Sequence, residues 1–280
     1  LFRDVFTFYE RFYQGQPPQL SDPRPYRDYV AWLSTQDSTK AAAFWTPLLQ
    51  GFQKPTPLKY DKAPHLAPDH KIQTLSLGDA GTAALQNLAQ STHLTLNTLV
   101  QAAWALLLSY ISGEQDIVFG ATTAGRPHDL AGADTIVGVF INSLPVRVQL
   151  SPDVNIITWL QDLQTQQSKA RGYDYVPLSQ IQRWSEIPVG KSLFESLVVF
   201  ENYPIDKALD SIQVSLEIQS VQSFINNNYP ITIRALPRDE LVLQIMADRS
   251  CLAGEVTERW LQHLVALLQW LVEHPTASLG

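Results

Sequence analysis

VGVFINSLPVRV, from Val137 to Val148, is the most strand-like run of the chain. Its apolar, β-branched and aromatic residues are interrupted by Asn142, Ser143, Pro145 and Arg147. That composition predicts a buried β-strand with a carboxamide in its middle. Immediately upstream, DIVFGATTAG (116–125) reads as a second strand running into a glycine loop, and downstream NIITWLQDLQTQQSKARG (155–172) has helical periodicity. Further upstream, KIQTLSL (71–77) alternates as a strand does and DAGTAALQNLAQ (79–90) reads as a helix. LTLNTLVQAAWALLLSYISG (94–113) is apolar nearly all round, as a buried helix is. Towards the C-terminus a short helix is expected around Ser179 to Trp184. Strands are expected at LFESLVVFEN (193–202), SIQVSLEIQ (211–219), YPITIRALP (229–237) and DELVLQIMA (239–247), closed by the helix GEVTERWLQHLVALLQWLVEH (254–274).

The opening of the chain is helical instead. LFRDVFTFYERFY (1–13) places Phe2, Val5, Phe6, Tyr9, Phe12 and Tyr13 on one face, and helical stretches follow at 26–36 and 39–51. Between Phe52 and His70, Pro55, Pro57, Pro64 and Pro68 read as a linker or long crossing loop, which is the candidate lobe boundary. Helices and strands alternate early and strands cluster late, so the predicted fold class is α/β, an α+β two-layer sandwich.

With 280 residues, 45% of them hydrophobic and 17% charged, the chain can bury a large core as one big domain or two lobes. A formal net charge of −7 with no basic cluster argues against a nucleic-acid partner, because a phosphate backbone calls for grouped Lys and Arg. A lone cysteine, Cys251, forbids an internal disulfide and makes a reducing, cytoplasmic setting the default expectation. The longest apolar stretch, Leu94 to Ile111, is broken by Thr95, Asn97, Thr98 and Gln101, so no membrane span is expected. The first residue is Leu1, already on a helical face with no initiator methionine, which suggests a fragment.

Generic catalytic signatures fail. PVGKS (188–192) has Ser185 where a phosphate-binding loop requires its first glycine, so it reads as a surface turn. There is no G-x-S-x-G elbow, and the histidines at 65, 70, 93, 128, 263 and 274 never fall at metal-ligand spacing. His93 reads as a helix-end residue, and Cys251 as a small filler.

Longer segments carry more information. PYRDYVAWL (25–33), DIVFGATTAGRP (116–127), IVGVFINSLPVRV (136–148), YDYVPLSQIQRWS (173–185) and LFESLVVFENYP (193–204), in this order, closely resemble the condensation domains of non-ribosomal peptide synthetases over essentially the whole chain. The resemblance implies chloramphenicol acetyltransferase-like lobes with a tunnel entered from opposite faces. On that reading residues 1–65 hold the C-terminal part of the first, donor-side lobe with the crossing linker, and residues 66–280 form the complete second lobe. It further implies that upstream and downstream carrier domains, beside an adenylation domain, thread phosphopantetheine arms into the tunnel. The chain itself would bind no cofactor or metal and would meet neither nucleic acid nor membrane. The family's His-His-x-x-x-Asp-Gly motif is absent, since no two histidines are adjacent. In the family it stands just before the helix that LFRDVFTFYERFY resembles, so the catalytic histidine is expected upstream of Leu1 and the fragment alone is expected to be inactive.

Aminolysis of a thioester needs two substrates held in line, proton handling, and fixed donors for the developing oxyanion. Asn142 can orient a pantetheine amide or a substrate carbonyl, or it can bridge unpaired backbone groups. Phe140 and Ser143 are its neighbours on the expected tunnel wall. Gly138 permits close approach of a thin arm, or marks a bulge. Arg147 is expected on the opposite strand face from Asn142, as a surface or lobe-interface charge or a carrier contact. Gly125 gives a turn, and Arg126 either holds the loop through a salt bridge or meets substrate or carrier phosphate. Ala124 stands where many family members have serine. His128 reads as structural, as do the aromatic residues Tyr26, Tyr29, Trp32, Tyr173 and Tyr175. An epimerisation domain is the nearest alternative, and Phe140 to Arg147 favours condensation over it. Heterocyclisation, a non-catalytic carrier-docking module and a stand-alone acyl-CoA transferase are the others.

Overall fold

A computed structural model of the chain describes residues 2–17, 20, 22–58, 70–201, 228–248 and 252–279. Its elements are α1 (Phe2–Tyr13), α2 (Tyr26–Ser34), α3 (Ser38–Leu49), β1 (His70–Ser76), α4 (Gly78–Thr92), α5 (Leu96–Ser112), β2 (Asp116–Thr123) and β3 (Asn142–Gln149). They continue with α6 (Ile156–Arg171), α7 (Leu178–Arg183), β4 (Ser196–Phe200), β5 (Ile231–Pro237), β6 (Leu241–Asp248) and α8 (Gly254–Glu273). The chain divides into two compact units. The larger comprises residues 37–125, 141–201 and 228–280, and the described part of the smaller comprises residues 2–17, 20, 22–36 and 126–140.

In the larger unit six strands form one mixed sheet in the order β1-β6-β5-β4-β2-β3. β4 pairs parallel with both β2 and β5, and the outer pairs β1·β6, β5·β6 and β2·β3 are antiparallel. Alternation along the strands sends side chains to opposite faces. Ile117, Phe119 and Ala121 of β2, Val198 of β4, and Ile231, Ile233 and Ala235 of β5 enter the larger core against α4, α5, α6 and α8. Val118 of β2 and Leu197 of β4, one residue out of phase, enter a second core with Ala41, Trp45 and Leu49 of α3 and Ile181 of α7.

Local sequence explains where the helices start and stop. The side chains of Asp37, Thr95 and Asn155 cap α3, α5 and α6, each accepting backbone N–H groups of the first turn. α5 ends at Gly113, which takes the left-handed conformation with φ of 78°. His93 ends α4 with φ of 57°, the helix-end position expected for it. Among the described residues no single helix is long and apolar enough to cross a membrane.

One expectation needs correction. The strand expected from Val137 begins only at Asn142, so the carboxamide is its first residue rather than its middle. Val137, Val139 and Ile141 are 45%, 77% and 61% exposed, while Phe140 and Ile136 are buried. The physical reason is competition from the smaller unit, where Tyr29, Leu130, Ala133, Ile136 and Phe140 make an aromatic cluster that draws residues 136–140 out of the ladder. Residues 59–69 and the expected strand at 211–219 lie outside the described residues, as do Leu1, His65 and Cys251. Phe52, Thr56 and Leu58, however, are buried. The Thr56 hydroxyl accepts the Val118 N–H at 2.8 Å, on β2 just before β4 pairs with it at Gly120, and so satisfies a donor the sheet leaves open.

Candidate functional site

The predicted site residues fall into two groups. Asn142 and Ser143 open β3, opposite Thr123 and Thr122 at the end of β2, in the larger unit. Gly125 follows β2 in the same unit with φ of 61°, a left-handed turn conformation that glycine adopts without strain. Arg126, Gly138 and Phe140 belong to the smaller unit.

At the start of β3 both donors of the Asn142 amide are used. Nδ2 donates to the carbonyls of Asp174 at 2.9 Å and Val176 at 2.7 Å, and Oδ1 accepts the Ser143 N–H at 2.9 Å. Thr123, its cross-strand partner, donates to the Asp174 carboxylate at 2.8 Å. Asn142, Thr123 and Asp174 therefore tie the end of the β2–β3 pair to the turn that leads into α7, where Tyr173 stacks on Phe44 with centroids 5.0 Å apart. The hydroxyl of Ser143 bonds to the phenol of Tyr229, and Tyr229 stacks on Phe194 at 5.3 Å. Burial pushes the Tyr229 phenol above its usual range, and the Ser143 hydrogen bond acts in the opposite direction. Nothing in the sequence singles out Tyr229. Its only signal is its place at the entry to β5, beside Pro230.

Further along β3, Arg147 lies five residues past Asn142, on the opposite strand face. Of the roles expected for it, that of a surface charge does not hold, since its side chain is only 10% exposed. Nε and Nη2 grip both oxygens of Asp116 at 2.9 and 2.6 Å, and Nη1 donates to the carbonyls of Leu48 at 3.0 Å and Gln50 at 2.6 Å. The guanidinium thus locks the β2–β3 edge to the C-terminus of α3, and the Asp116 hydrogen bonds raise its pKa above the ordinary arginine value. Pro145 is tolerated because β3 is a sheet edge, where a missing N–H costs no ladder bond.

In the smaller unit, Arg126 makes no salt bridge among the described residues. Its guanidinium donates to the carbonyls of Ala133 and Ile136 and lies 4.0 Å from the Phe140 ring centroid. The Phe140 ring packs on Tyr29 at 4.5 Å and edge-on to Tyr26 at 5.6 Å. A Cβ at Gly138 would stand 2.0 Å from the Tyr26 ring, so this glycine makes room for an aromatic side chain. The Tyr26 hydroxyl donates to the Val139 carbonyl at 2.6 Å, which finishes the fastening of residues 136–140. His128 is exposed. The PVGKS segment forms a turn, with the Lys191 N–H bonded to the Pro188 carbonyl. Among the described residues no three His, Cys, Asp or Glu side chains converge where a metal ion could sit.

The condensation-domain family profile matches residues 1–280, the whole of the chain. The chain belongs to the condensation-domain family. The linear gramicidin synthase of Brevibacillus parabrevis includes a polypeptide that is 42% identical over the whole chain, which spans 6% of that relative's length. This condensation domain is thus of the non-ribosomal peptide synthetase type, as the five segments imply, and its relatives are far longer proteins of secondary metabolism. Its fold matches the X-domain from teicoplanin biosynthesis with a TM-score of 0.80 at 24% identity, covering 99% of this chain and 66% of that one. The first condensation domain of the calcium-dependent antibiotic synthetase, in complex with a substrate analogue, matches with a TM-score of 0.76 at 17% identity, covering 99% and 61%. The fold is the chloramphenicol acetyltransferase-like α/β fold.

Proposed function

We propose that this condensation domain takes part in peptide-bond formation between two carrier-bound substrates. The observation that carries the reading is the match of the family profile to the full 280 residues, and the FINSLPVR run at 140–147 favours condensation over epimerisation. The acceptor's aminoacyl amine attacks the donor's thioester carbonyl. The C–N bond forms, the C–S bond breaks, the donor carrier regains its thiol, and the amine gives up a proton. The reading assigns residues 1–65 to the donor-side lobe and residues 66–280 to the second. Substrates arrive on phosphopantetheine arms of upstream and downstream carrier domains in a cytoplasmic synthetase that also holds an adenylation domain. The titrating histidine is supplied by a His-His-x-x-x-Asp-Gly segment outside this sequence.

Within the chain, the geometry supports a division of labour. Ser143 is the candidate substrate contact, because a hydroxyl held by Tyr229 retains hydrogen-bonding capacity for a ligand. Asn142 acts as a support for the Asp174–Val176 turn. Gly125, Arg126, Gly138 and Phe140 shape the backbone leading to β3. In the complete synthetase module, one carrier is loaded with the donor acyl group and the next with the acceptor aminoacyl group. The reading expects a condensed thioester on the acceptor carrier by mass spectrometry. An inverted donor α-carbon with no condensed product would establish epimerisation instead, and carrier binding with neither product would establish a docking module.

A further inference from the structure

α5 is buried along most of its length, yet Tyr110, in its last turn, is 80% exposed. With Leu106, one turn earlier on the same face, it lines an open cleft of about 220 Å³ in the larger unit. Leu150, Ser151 and Pro152, just after β3, line the cleft too, and so does Leu279. These walls are held in place by the backbone. The Ser109 hydroxyl donates to the Glu114 carbonyl beyond the end of α5, and the Leu150 N–H donates to the Gln115 carbonyl at 2.8 Å.

The course of the last described residues is fixed as well. Ser278 pairs antiparallel with Asn155. The Ile156 N–H donates to the Ala277 carbonyl at 3.1 Å, and the Leu279 N–H donates to the Val154 carbonyl at 3.2 Å. Antiparallel partners run in opposite directions, so as one strand advances from Ser278 to Leu279 the other recedes from Asn155 towards Pro152 and Ser151. The backbone is therefore delivered to the cleft and aimed along one of its walls.

The size of the cleft decides what can occupy it. It falls below the roughly 300 Å³ at which small-molecule sites begin. A second copy or a free partner would need to bury about 800 Å² on each side, which one such recess does not offer. A tethered segment is different, because its effective concentration is of the order of millimolar and most of the cost of association is avoided. A single apolar side chain is then enough, and Leu106, Leu150 and Leu279 offer it an apolar bed beside the exposed Tyr110 ring. Resting on the reading that places this domain within a longer synthetase, and not on the reaction it performs, we propose that the cleft beside Tyr110 seats the polypeptide that follows Gly280. An apolar side chain from its first few residues packs on the Tyr110 ring and pins the start of the connection to the next domain.

The test uses the complete synthetase module. Hydrogen exchange read by mass spectrometry should find the first residues after Gly280 protected. Tyr110→Ala should speed their exchange about tenfold and leave β2 and β3 unchanged, while Tyr110→Phe, which keeps the ring, should match wild type. Because Tyr110 is at the surface, Tm should hold in both variants. With p-benzoylphenylalanine in place of Tyr110, irradiation should cross-link position 110 to a peptide that follows Gly280 in the same polypeptide. Cross-links to a second copy or to a carrier domain overturn the docking and leave the synthetase reading standing. So does wild-type exchange that is unprotected after Gly280, or exchange there that Tyr110→Ala does not change. A native polypeptide whose intact mass shows that it stops at Gly280 overturns the synthetase reading, and the docking with it.

Discussion

The two halves of the opening stretch, residues 136–141 and 142–149, both read as extended backbone and have opposite fates. In the second half the backbone is ordered by pairing along the whole length of β2, from Thr123↔Asn142 to Asp116↔Gln149. In the first half order comes from side chains: Phe140 and Ile136 are buried among Tyr26 and Tyr29, and Val137, Val139 and Ile141 are left exposed. An arginine that donates to backbone carbonyls serves each half, Arg126 from outside the first and Arg147 from within the second, but the environments differ. Arg147 adds a two-pronged ion pair with Asp116, whereas Arg126 adds only the face of a ring. Apolar and β-branched content therefore predicts an extended backbone in both halves and cannot say whether a strand or an aromatic cluster will claim it.

The largest expected effect follows from Arg147. Arg147→Ala removes four hydrogen bonds, strands the carbonyls of Leu48 and Gln50 and leaves Asp116 without its cation. A loss of about 3 kcal/mol is expected in chemical unfolding of the purified condensation domain. A loss below about 1 kcal/mol would show that the second half is held by its ladder alone. The matching probe of the first half is Gly138→Ala. The new methyl meets the Tyr26 ring at 2.0 Å, and because that ring is only half-buried it can swing partly away, so about 2 kcal/mol is expected. A neutral result would mean that the aromatic cluster does not set the path of residues 136–140.

These two sites also show what is legible in the sequence. All the strands that fall on described residues follow from alternation and β-branched content, and α5 from its all-round apolarity, because only one backbone period buries those residues. The fate of residues 137–141 is not legible. It depends on Tyr26 and Tyr29, more than a hundred residues away in sequence, and no local pattern reports a partner at that range. The same applies to Tyr229. A single tyrosine ahead of a strand is unremarkable until parallel pairing sets it beside Phe194. Arg147 departs from expectation for a related reason, since a charge on an edge strand looks solvated until α3 offers it two carbonyls.

Asn142 stands at the junction of the halves, and its substitution sharpens the boundary between them. Asn142→Ala frees the carbonyls of half-buried Asp174 and buried Val176, so about 1.5 kcal/mol is expected. Thermal melting should show a modest drop in Tm, and condensed product should fall only in step with it. Unchanged Tm with a large loss of product would show instead that the amide touches substrate.

The smallest effect concerns the turn that Arg147 grips. Arg147 takes the carbonyls on one side of it, and Glu186 takes the Gly51 N–H at 2.8 Å and the Gln53 side-chain amide at 3.1 Å on the other. Those hydrogen bonds, Gly51 first, hold the Glu186 carboxyl below its ordinary value of 4.5, with the Arg147 charge contributing in the same direction. A depressed folded-state pKa gives stability that is present above the ordinary value and lost as pH falls through the folded one. Wild type should therefore lose stability relative to Glu186→Gln between about pH 5 and about pH 3, because glutamine cannot be protonated there. Parallel denaturation curves for the two proteins across that window would place the hold on the turn with Arg147 alone. The second half of the stretch would then owe its anchorage to a single side chain, as the first half owes its own to a cluster.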